Sequence, residues 1–476
     1  MVETFEWPLE PSPEAMRRMV EVVMERLAAH VGSLGEQPAS YDQSQGLALS
    51  ERLIEPLPQR GEPLESLLAA LFDEAIPMSF NAAGPGYLGY IPGGGLFEAA
   101  LGEFIAASIN RYVGVWVAAP GLVQMEANVV RWLCQIIGYP ASSLGFLTSG
   151  GSIANLSATI TARRDRLGED FLDGVAYGSD QAHYSVLKAG AMAGLRWRNL
   201  RKIPSGPRQQ LRLDLLEQAI EDDRRAGLSP FLLVGNAGTT NTGAVDDLEA
   251  LADIARRHGL WFHVDAAYGG FFMLTERGQR ILKGLSLADS VTLDPHKGLF
   301  LPFGTGALLV RDRRALQVAF DETGDYMPGF QEADSSVDFC RLSPELSRAF
   351  RGLRIWLPLK RHGVAPFQQA LDEKLDLAQR AAEALAATEH VEVVAPPQLS
   401  AFAFRATFPD LSPEALDDLN RRWLERINAR QRVMLTSTLL DGRFTLRLCV
   451  LSFRTHLDRL DAAIEDARAA LAEVTP

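Results

Sequence analysis

Leu260-Trp261-Phe262-His263-Val264-Asp265-Ala266-Ala267-Tyr268-Gly269-Gly270 is the stretch that decides the fold. It opens with an apolar run of strand length, reaches a carboxylate where the run ends, and breaks at a glycine pair. Working outward, similar short runs recur at 145–148, 175–178, 231–235, 290–293 and 307–310, separated by amphipathic helical stretches. From about 96 to 365 this alternation is that of βαβ units, and it predicts a mostly parallel sheet covered by helices. In such sheets ligands gather beyond the carboxyl ends of the strands, so the residues just past each run are the candidates for function.

Those residues carry chemistry. Run 145–148 leads into Ser149-Gly150-Gly151-Ser152 and a helical stretch over 153–166. Glycines let the backbone approach an anion, Ser152 can cap the helix and offer a hydroxyl, and the helix N-terminus brings unpaired N–H groups. The segment reads as a phosphate cradle or as a plain turn with a good cap. It lacks the GxxxxGK pattern of a triphosphate loop. Asp265, at the end of an interior strand, is costly to bury unpaired, so it is expected to face a cation or a protonated ring nitrogen unless it only caps the next helix. A zinc site on His263 and Asp265 would need two more ligands, which no neighbouring motif supplies.

Run 290–293 leads into Asp294-Pro295-His296-Lys297-Gly298. A lysine there is expected to be partly desolvated, which would make it nucleophilic toward carbonyls. The chain has few alternatives, since its lysines are Lys188, Lys202, Lys283, Lys297, Lys360 and Lys374 alone. Asp180 to Ser185 follows the run at 175, and Gly238-Thr239-Thr240 follows the run at 231. His183 by itself would be a structural histidine and Thr239 a turn residue. Together, a phosphate cradle, a carboxylate, a stackable imidazole and a lysine are what a phosphorylated pyridine aldehyde requires.

Composition narrows the class. The 476 residues are 47% hydrophobic and 22% charged, an ordinary globular balance that excludes disorder and suggests two or three structural units. A net charge of −13 argues against nucleic acid. The densest basic stretch, Arg196, Arg198, Arg201 and Lys202, reads as a solvated edge. Apolar stretches such as 113–119 are far shorter than the roughly 20 residues a membrane span needs. The first residues are acidic without an apolar run, so no secretory signal is expected. Cys134, Cys340 and Cys449 are odd in number and widely spaced, which fits neither a disulfide framework nor a CxxC metal site and points to the cytoplasm.

Toward the N-terminus, Ser12 as cap and Pro13 at the first helical position open a helix with Met16, Val20, Val23, Leu27 and Val31 on one face. That stripe needs a partner surface. A Gly- and Pro-rich loop over 81–95 follows, with aromatics in it. After 365 a long helix over about 366–387 leads to expected strands at 391–394, 401–406 and 444–450 and a closing helix over 457–471. The expected organisation is therefore 1–95, a large unit 96–365, and a small α+β unit 366–476.

The ordered set Asp180-Gln181-Ala182-His183-Tyr184-Ser185-Val186, Gly238-Thr239-Thr240, His263 to Gly270 and Asp294 to Gly298 resembles the pyridoxal-phosphate-dependent group II amino-acid decarboxylases, most closely the aromatic-L-amino-acid branch. The resemblance runs from about Pro8 to the final helix. It implies an α/β fold of the aspartate-aminotransferase type, fold type I: a mainly parallel seven-stranded sheet, an N-terminal dimerising segment and a small C-terminal domain. It further implies that Lys297 holds pyridoxal 5'-phosphate covalently, Asp265 pairs with the pyridine nitrogen, His183 stacks on the ring and Ala267 lies beneath it. Gly151, Ser152, Thr239 and His296 then surround the phosphate or the ring oxygen. Tyr326, in a polar loop over 321–336, falls where these decarboxylases carry the tyrosine that returns a proton to Cα, reaching in from the neighbouring subunit of a homodimer. Aldehyde synthases of the family carry phenylalanine there.

Tyr90, Pro92, Gly93, Tyr112 and Gly114 are the expected substrate contacts. Ala82 and Ala83 stand where the aromatic branch has tryptophan and histidine, and Gly114 where it has an aromatic, so the pocket is expected to be enlarged or reshaped. The function expected is decarboxylation of an L-amino acid, aromatic by resemblance, to an amine and CO2. The alternatives are oxidative deamination to an aldehyde, a non-aromatic substrate, or a catalytically silent cofactor carrier.

Overall fold

The computed structural model describes residues 9–322 and 336–475. A seven-stranded sheet is built from β1 (Leu144–Thr148), β2 (Gly174–Ser179), β3 (Leu200–Ile203), β4 (Ser229–Asn236), β5 (Trp261–Asp265), β6 (Ser290–Leu293) and β7 (Gly306–Val310). Their order across the sheet is β1-β7-β6-β5-β4-β2-β3. Strands β2 to β6 pair in parallel, while β7 runs antiparallel to both β6 and β1. Every residue of β1, β2, β5, β6 and β7 is buried, as strands covered by helices on both faces should be, which is why they read as continuous apolar runs.

Strand β3 is the one that the sequence reading assigned to a solvated basic edge. It is indeed at the edge, but it is paired: Ala176 to Ser179 are in register with Leu200 to Ile203. Charged side chains on an edge strand discourage pairing with another molecule, and here Arg201 is tied down by Asp223, which also accepts from Tyr177 Oη at 2.8 Å.

A second sheet, order β10-β11-β9-β8, is antiparallel throughout and comprises β8 (Val391–Ala395), β9 (Ala401–Ala406), β10 (Thr436–Leu440) and β11 (Arg443–Cys449). Strand β10 and the helix Pro413–Ala429 went unread in the sequence. The helix Ala365–Ala386 joins the two sheets physically. Its Phe367, Leu371 and Leu375 belong to the core beneath the large sheet, and its Leu377, Ala378, Ala381 and Leu385 to the core of the small one.

The first helix is Pro13–Gly32, with the Ser12 hydroxyl accepting from Ala15 N at 3.2 Å. None of its residues is buried within the chain. Deep in the large unit, the side chains of Glu126 and Arg348 are both fully inaccessible and ion-paired at 2.5 Å, and Glu126 also accepts from Gly352 N at 2.9 Å. No helix among the described residues is long and apolar enough to cross a membrane.

Candidate active site

Parallel strands deliver their carboxyl ends to one edge, and there a cavity of about 300 Å³ opens. Its lining includes Gly151 and Ser152 beyond β1, His183 and Ser185 beyond β2, and Thr239 beyond β4. Asp265 and Ala267 beyond β5, and Asp294, His296 and Lys297 beyond β6, complete it. The eight residues expected at the cofactor are thus brought together from five separate strands.

The helix that starts the cradle begins at Gly151, two residues earlier than the sequence suggests, so Gly150 is its cap and Ser152 lies in its first turn. No side chain caps it, which leaves N–H groups and the Ser152 hydroxyl for an anion. The close fit is visible at Gly151: a Cβ there would sit 3.0 Å from Asp294 Oδ2 and 3.3 Å from Ala267 Cβ. At Gly238 φ is +97°, and a Cβ would meet the Tyr268 ring at 2.6 Å, so only glycine makes the turn that presents Thr239.

Asp265 is buried at the end of β5 and accepts two N–H bonds, from Ala267 N to Oδ1 at 3.1 Å and from Asn155 Nδ2 to Oδ2 at 2.9 Å. His183 caps the helix Tyr184–Met192, its Nδ1 lying 2.7 Å from Ser185 Oγ and 3.3 Å from Ser185 N. Burial lowers its pKa against the opposing pull of Asp265 and Asp294, and Lys297 pushes it the same way as burial. His296 donates from Nδ1 to the Thr305 carbonyl at 2.6 Å, and its pKa is likewise lowered, chiefly by burial. Lys297 Nζ lies 3.0 Å from Oδ2 of Asp294, whose Oδ1 has no hydrogen-bond partner among the described residues. Thr239 Oγ1 is 2.8 Å from Thr242 Oγ1 and accepts from Ala244 N at 3.2 Å.

The expected substrate contacts are distributed differently. Gly93 packs against the His296 carbonyl and lines a larger cavity of about 920 Å³, together with Ala82, Ala83 and Phe303. Tyr90 is half-exposed at φ +48° and stacks on Tyr87 at 6.4 Å. Among the described residues, Tyr90, Pro92, Tyr112 and Gly114 do not line the cavity that holds Lys297. The space beside Gly114 is not empty. A Cβ there would lie 2.2 Å from Tyr112 Oη, which donates to the Leu346 carbonyl at 3.0 Å, so the Tyr112 phenol supplies the bulk that the glycine lacks. Tyr326 lies outside the described residues.

Sequence reading missed Asn155, Ser185, Thr292 and the pairing of Asp294 with Lys297. One signal was available for Asn155: it follows Gly151 by four residues, one helical turn, and so shares the face turned to the sheet. His263 carries no metal role here, since both ring nitrogens are engaged by Ser290 and Asn155.

Residues 48–407 match the pyridoxal-dependent decarboxylase conserved domain. The chain belongs to this family. The decarboxylase is 33% identical over 469 residues to the aromatic-L-amino-acid decarboxylase of Bacillus atrophaeus, covering 98% of each chain. It is 30% identical to the phenylacetaldehyde synthase of Petunia hybrida, covering 95% of this chain and 93% of that one. Among solved structures, Oryza sativa TDC with PLP and tryptamine superposes with a TM-score of 0.93 at 26% identity, over 99% of this chain and 100% of that one. Catharanthus roseus tryptophan decarboxylase in complex with L-tryptophan gives 0.90 at 28%, over 98% and 100%. The fold is that of the fold type I PLP decarboxylases, and the protein is a PLP-dependent amino-acid decarboxylase.

Proposed function

We propose that this decarboxylase converts an L-amino acid with an aromatic side chain to its amine and CO2 in the cavity around Lys297. The observation that carries the reading is the convergence of Lys297, Asp265 and His183 with an uncapped helix N-terminus on one 300 Å³ space. The aromatic preference is supported by the decarboxylases and the tryptophan complex to which the chain is similar.

Lys297 would hold pyridoxal 5'-phosphate covalently, and the N–H groups at Gly151 and Ser152 would bind its phosphate, with Thr239 and His296 beside the phosphate or ring oxygen. Asp265 would accept the ring N–H, His183 would cover one face and Ala267 the other. When bound, the cofactor supplies a protonated ring that takes up the electron pair left at Cα. Loss of CO2 leaves Cα short of one proton, and we assign its delivery to Tyr326, whose hydroxyl favours amine over aldehyde as product. Tyr90, Pro92, Gly93, Tyr112 and Gly114 are assigned to the substrate.

A homodimer with shared sites belongs to the same reading. It is supported by the exposed apolar residues Met16, Met19 and Val20 on the first helix and Phe104, Ile105 and Ile109 on Phe97–Ile109, and by Tyr112 and Gly114 standing apart from their own chain's cavity. The division into 1–95, 96–365 and 366–476, with the joining helix common to both cores, is part of it, as is a cytoplasmic location, supported by three free, buried cysteines.

Purified protein is screened against the common L-amino acids for CO2, amine, aldehyde, ammonia and peroxide, and reduced with borohydride before peptide mapping. Amine from an aromatic substrate and a label on Lys297 are expected. A label on another lysine, or turnover of non-aromatic substrates only, overturns the reading.

A further inference from the structure

Beneath Asp265 lies a chain of buried polar groups whose hydrogen-bond directions follow from its two ends, an indole N–H and a carboxylate. It starts at Trp261, whose indole N–H can donate but not accept, and which points to Ser290 Oγ at 2.8 Å. Ser290 Oγ also lies 2.8 Å from His263 Nδ1, and because a hydroxyl oxygen can accept twice, the direction of this contact follows from where the ring carries its proton. His263 is buried, and that burial lowers its pKa to about 4, so the ring is neutral at physiological pH. With the Asn155 N–H turned to Asp265, the amide oxygen faces Nε2, which puts the single ring proton there and leaves Nδ1 to accept from Ser290. That proton goes to Asn155 Oδ1 at 3.1 Å, where Thr292 Oγ1 donates as well at 2.7 Å.

The Asn155 amide cannot be reversed without setting its carbonyl against the Asp265 carboxylate. Its two amide protons are consequently committed, one to Asp265 Oδ2 and one to Ser185 Oγ, each at 2.9 Å. His183 Nδ1 accepts the Ser185 backbone N–H at 3.3 Å and, as an acceptor, takes the Ser185 hydroxyl proton at 2.7 Å, which leaves the proton of neutral His183 on Nε2. Asn155, Ser185, His263, Ser290 and Thr292 are all buried, so water does not compete for these bonds.

We propose that Asn155 is the positioning residue of this site: through one amide it holds Asp265 as a hydrogen-bond acceptor toward the cofactor ring nitrogen and sets the tautomer of His183 on the neighbouring element. Asn155 acts on the ring only through these two residues. The inference rests on the cofactor assignment made above. The charged and titratable groups around Asn155 are His263 and Asp265 on β5, His183 beyond β2, and Asp294 and Lys297 beyond β6.

The test uses Asn155→Asp, nearly the same shape without the amide protons. Apoprotein is titrated with pyridoxal 5'-phosphate at pH 8 and pH 6, following visible absorbance. At pH 8 a carboxylate at 155 faces that of Asp265, and the dissociation constant is expected to rise at least tenfold over wild type. At pH 6 part of the loss is recovered, because like charge raises the carboxyl pKa of the new side chain and its acid form can donate again. A packing role alone would leave no such pH-dependent recovery. In parallel, wild-type protein labelled with 15N-histidine is expected to show His263 and His183 as neutral Nε2–H tautomers at pH 7. Wild-type-like cofactor binding by Asn155→Asp at both pH values overturns the proposal, as does an Nδ1–H or cationic His263 in wild type. The wild-type spectrum keeps the proposal open to refutation if Asn155→Asp fails to fold. Borohydride labelling of Lys297 in wild type separates a failure of this proposal from a failure of the cofactor assignment.

Discussion

Gly93→Ala tests whether the N-terminal loop holds the lysine turn in place. Gly93 is buried, and a Cβ on it would lie 2.0 Å from the backbone oxygen of His296, 3.0 Å from its carbon and 3.3 Å from the backbone oxygen of Leu301. An ordinary contact begins at 3.4 Å, so the shortest of these leaves a deficit of about 1.4 Å. The three atoms are backbone, and none can rotate away as a side-chain tip would. Either the 81–95 loop lifts or the turn Pro295–Gly298 shifts, and Lys297 sits in that turn. Misplacement of reacting groups by about 1 Å costs on the order of 10²-fold in rate. The expected outcome is a fall of about that size in kcat/KM for the best substrate, with far-ultraviolet dichroism unchanged. Gly121→Ala, at a glycine with nothing within 4 Å, is the control. A Gly93→Ala enzyme within threefold of wild type refutes the argument that this contact positions Lys297.

Asp265→Asn should keep the cofactor but lose most turnover, since a neutral amide cannot hold the ring proton as a carboxylate does; near-normal activity would remove Asp265 from that role. Tyr326→Phe should shift product from amine toward aldehyde with peroxide, because Cα is left without its acid and oxygen can intervene; unchanged amine yield without peroxide would assign the proton to another group, His183 first. Glu126→Ala removes the ion-pair partner of the inaccessible Arg348 guanidinium, whose Nε and Nη1 have no hydrogen-bond partner among the described residues, and leaves a buried charge without it. A destabilisation of about 3–5 kcal/mol is expected in urea unfolding, and a loss below about 1 kcal/mol would contradict it. Because the pKa of His263 is lowered from 6.5 to about 4, the unfolded chain binds a proton there that the folded chain refuses. Stability contributed by this residue therefore declines as pH drops from about 6.5 to 4 and levels off below, and His263→Gln should flatten that slope in pH-dependent unfolding.

Much of the site could be read in advance because it is made of local features. A glycine pair before a helix, a carboxylate at the end of β5 and a lysine after β6 each depend on a few consecutive residues, and strand ends in a parallel sheet converge whatever the details between them. Tyr112 marks where this stopped. Its ring fills the space beside Gly114, a contact between residues two apart, where the departure from the aromatic branch's pattern had implied a loss of bulk.

The sequence by itself determined the alternation of strand and helix, the edge at which the candidate site lies and the residue types gathered there, since hydrophobic period and turn chemistry are short-range properties of the chain. Tertiary structure alone decided which strands pair and in which direction: β7 runs against its neighbours, and the weakly apolar β3 becomes a strand because β2 offers it a partner. It likewise decided the partners of Asn155 and Asp294. Asn155 joins Asp265 across 110 positions and Thr292 across 137, and the direction of a hydrogen bond is set by what stands opposite in space, which no local stretch of sequence contains.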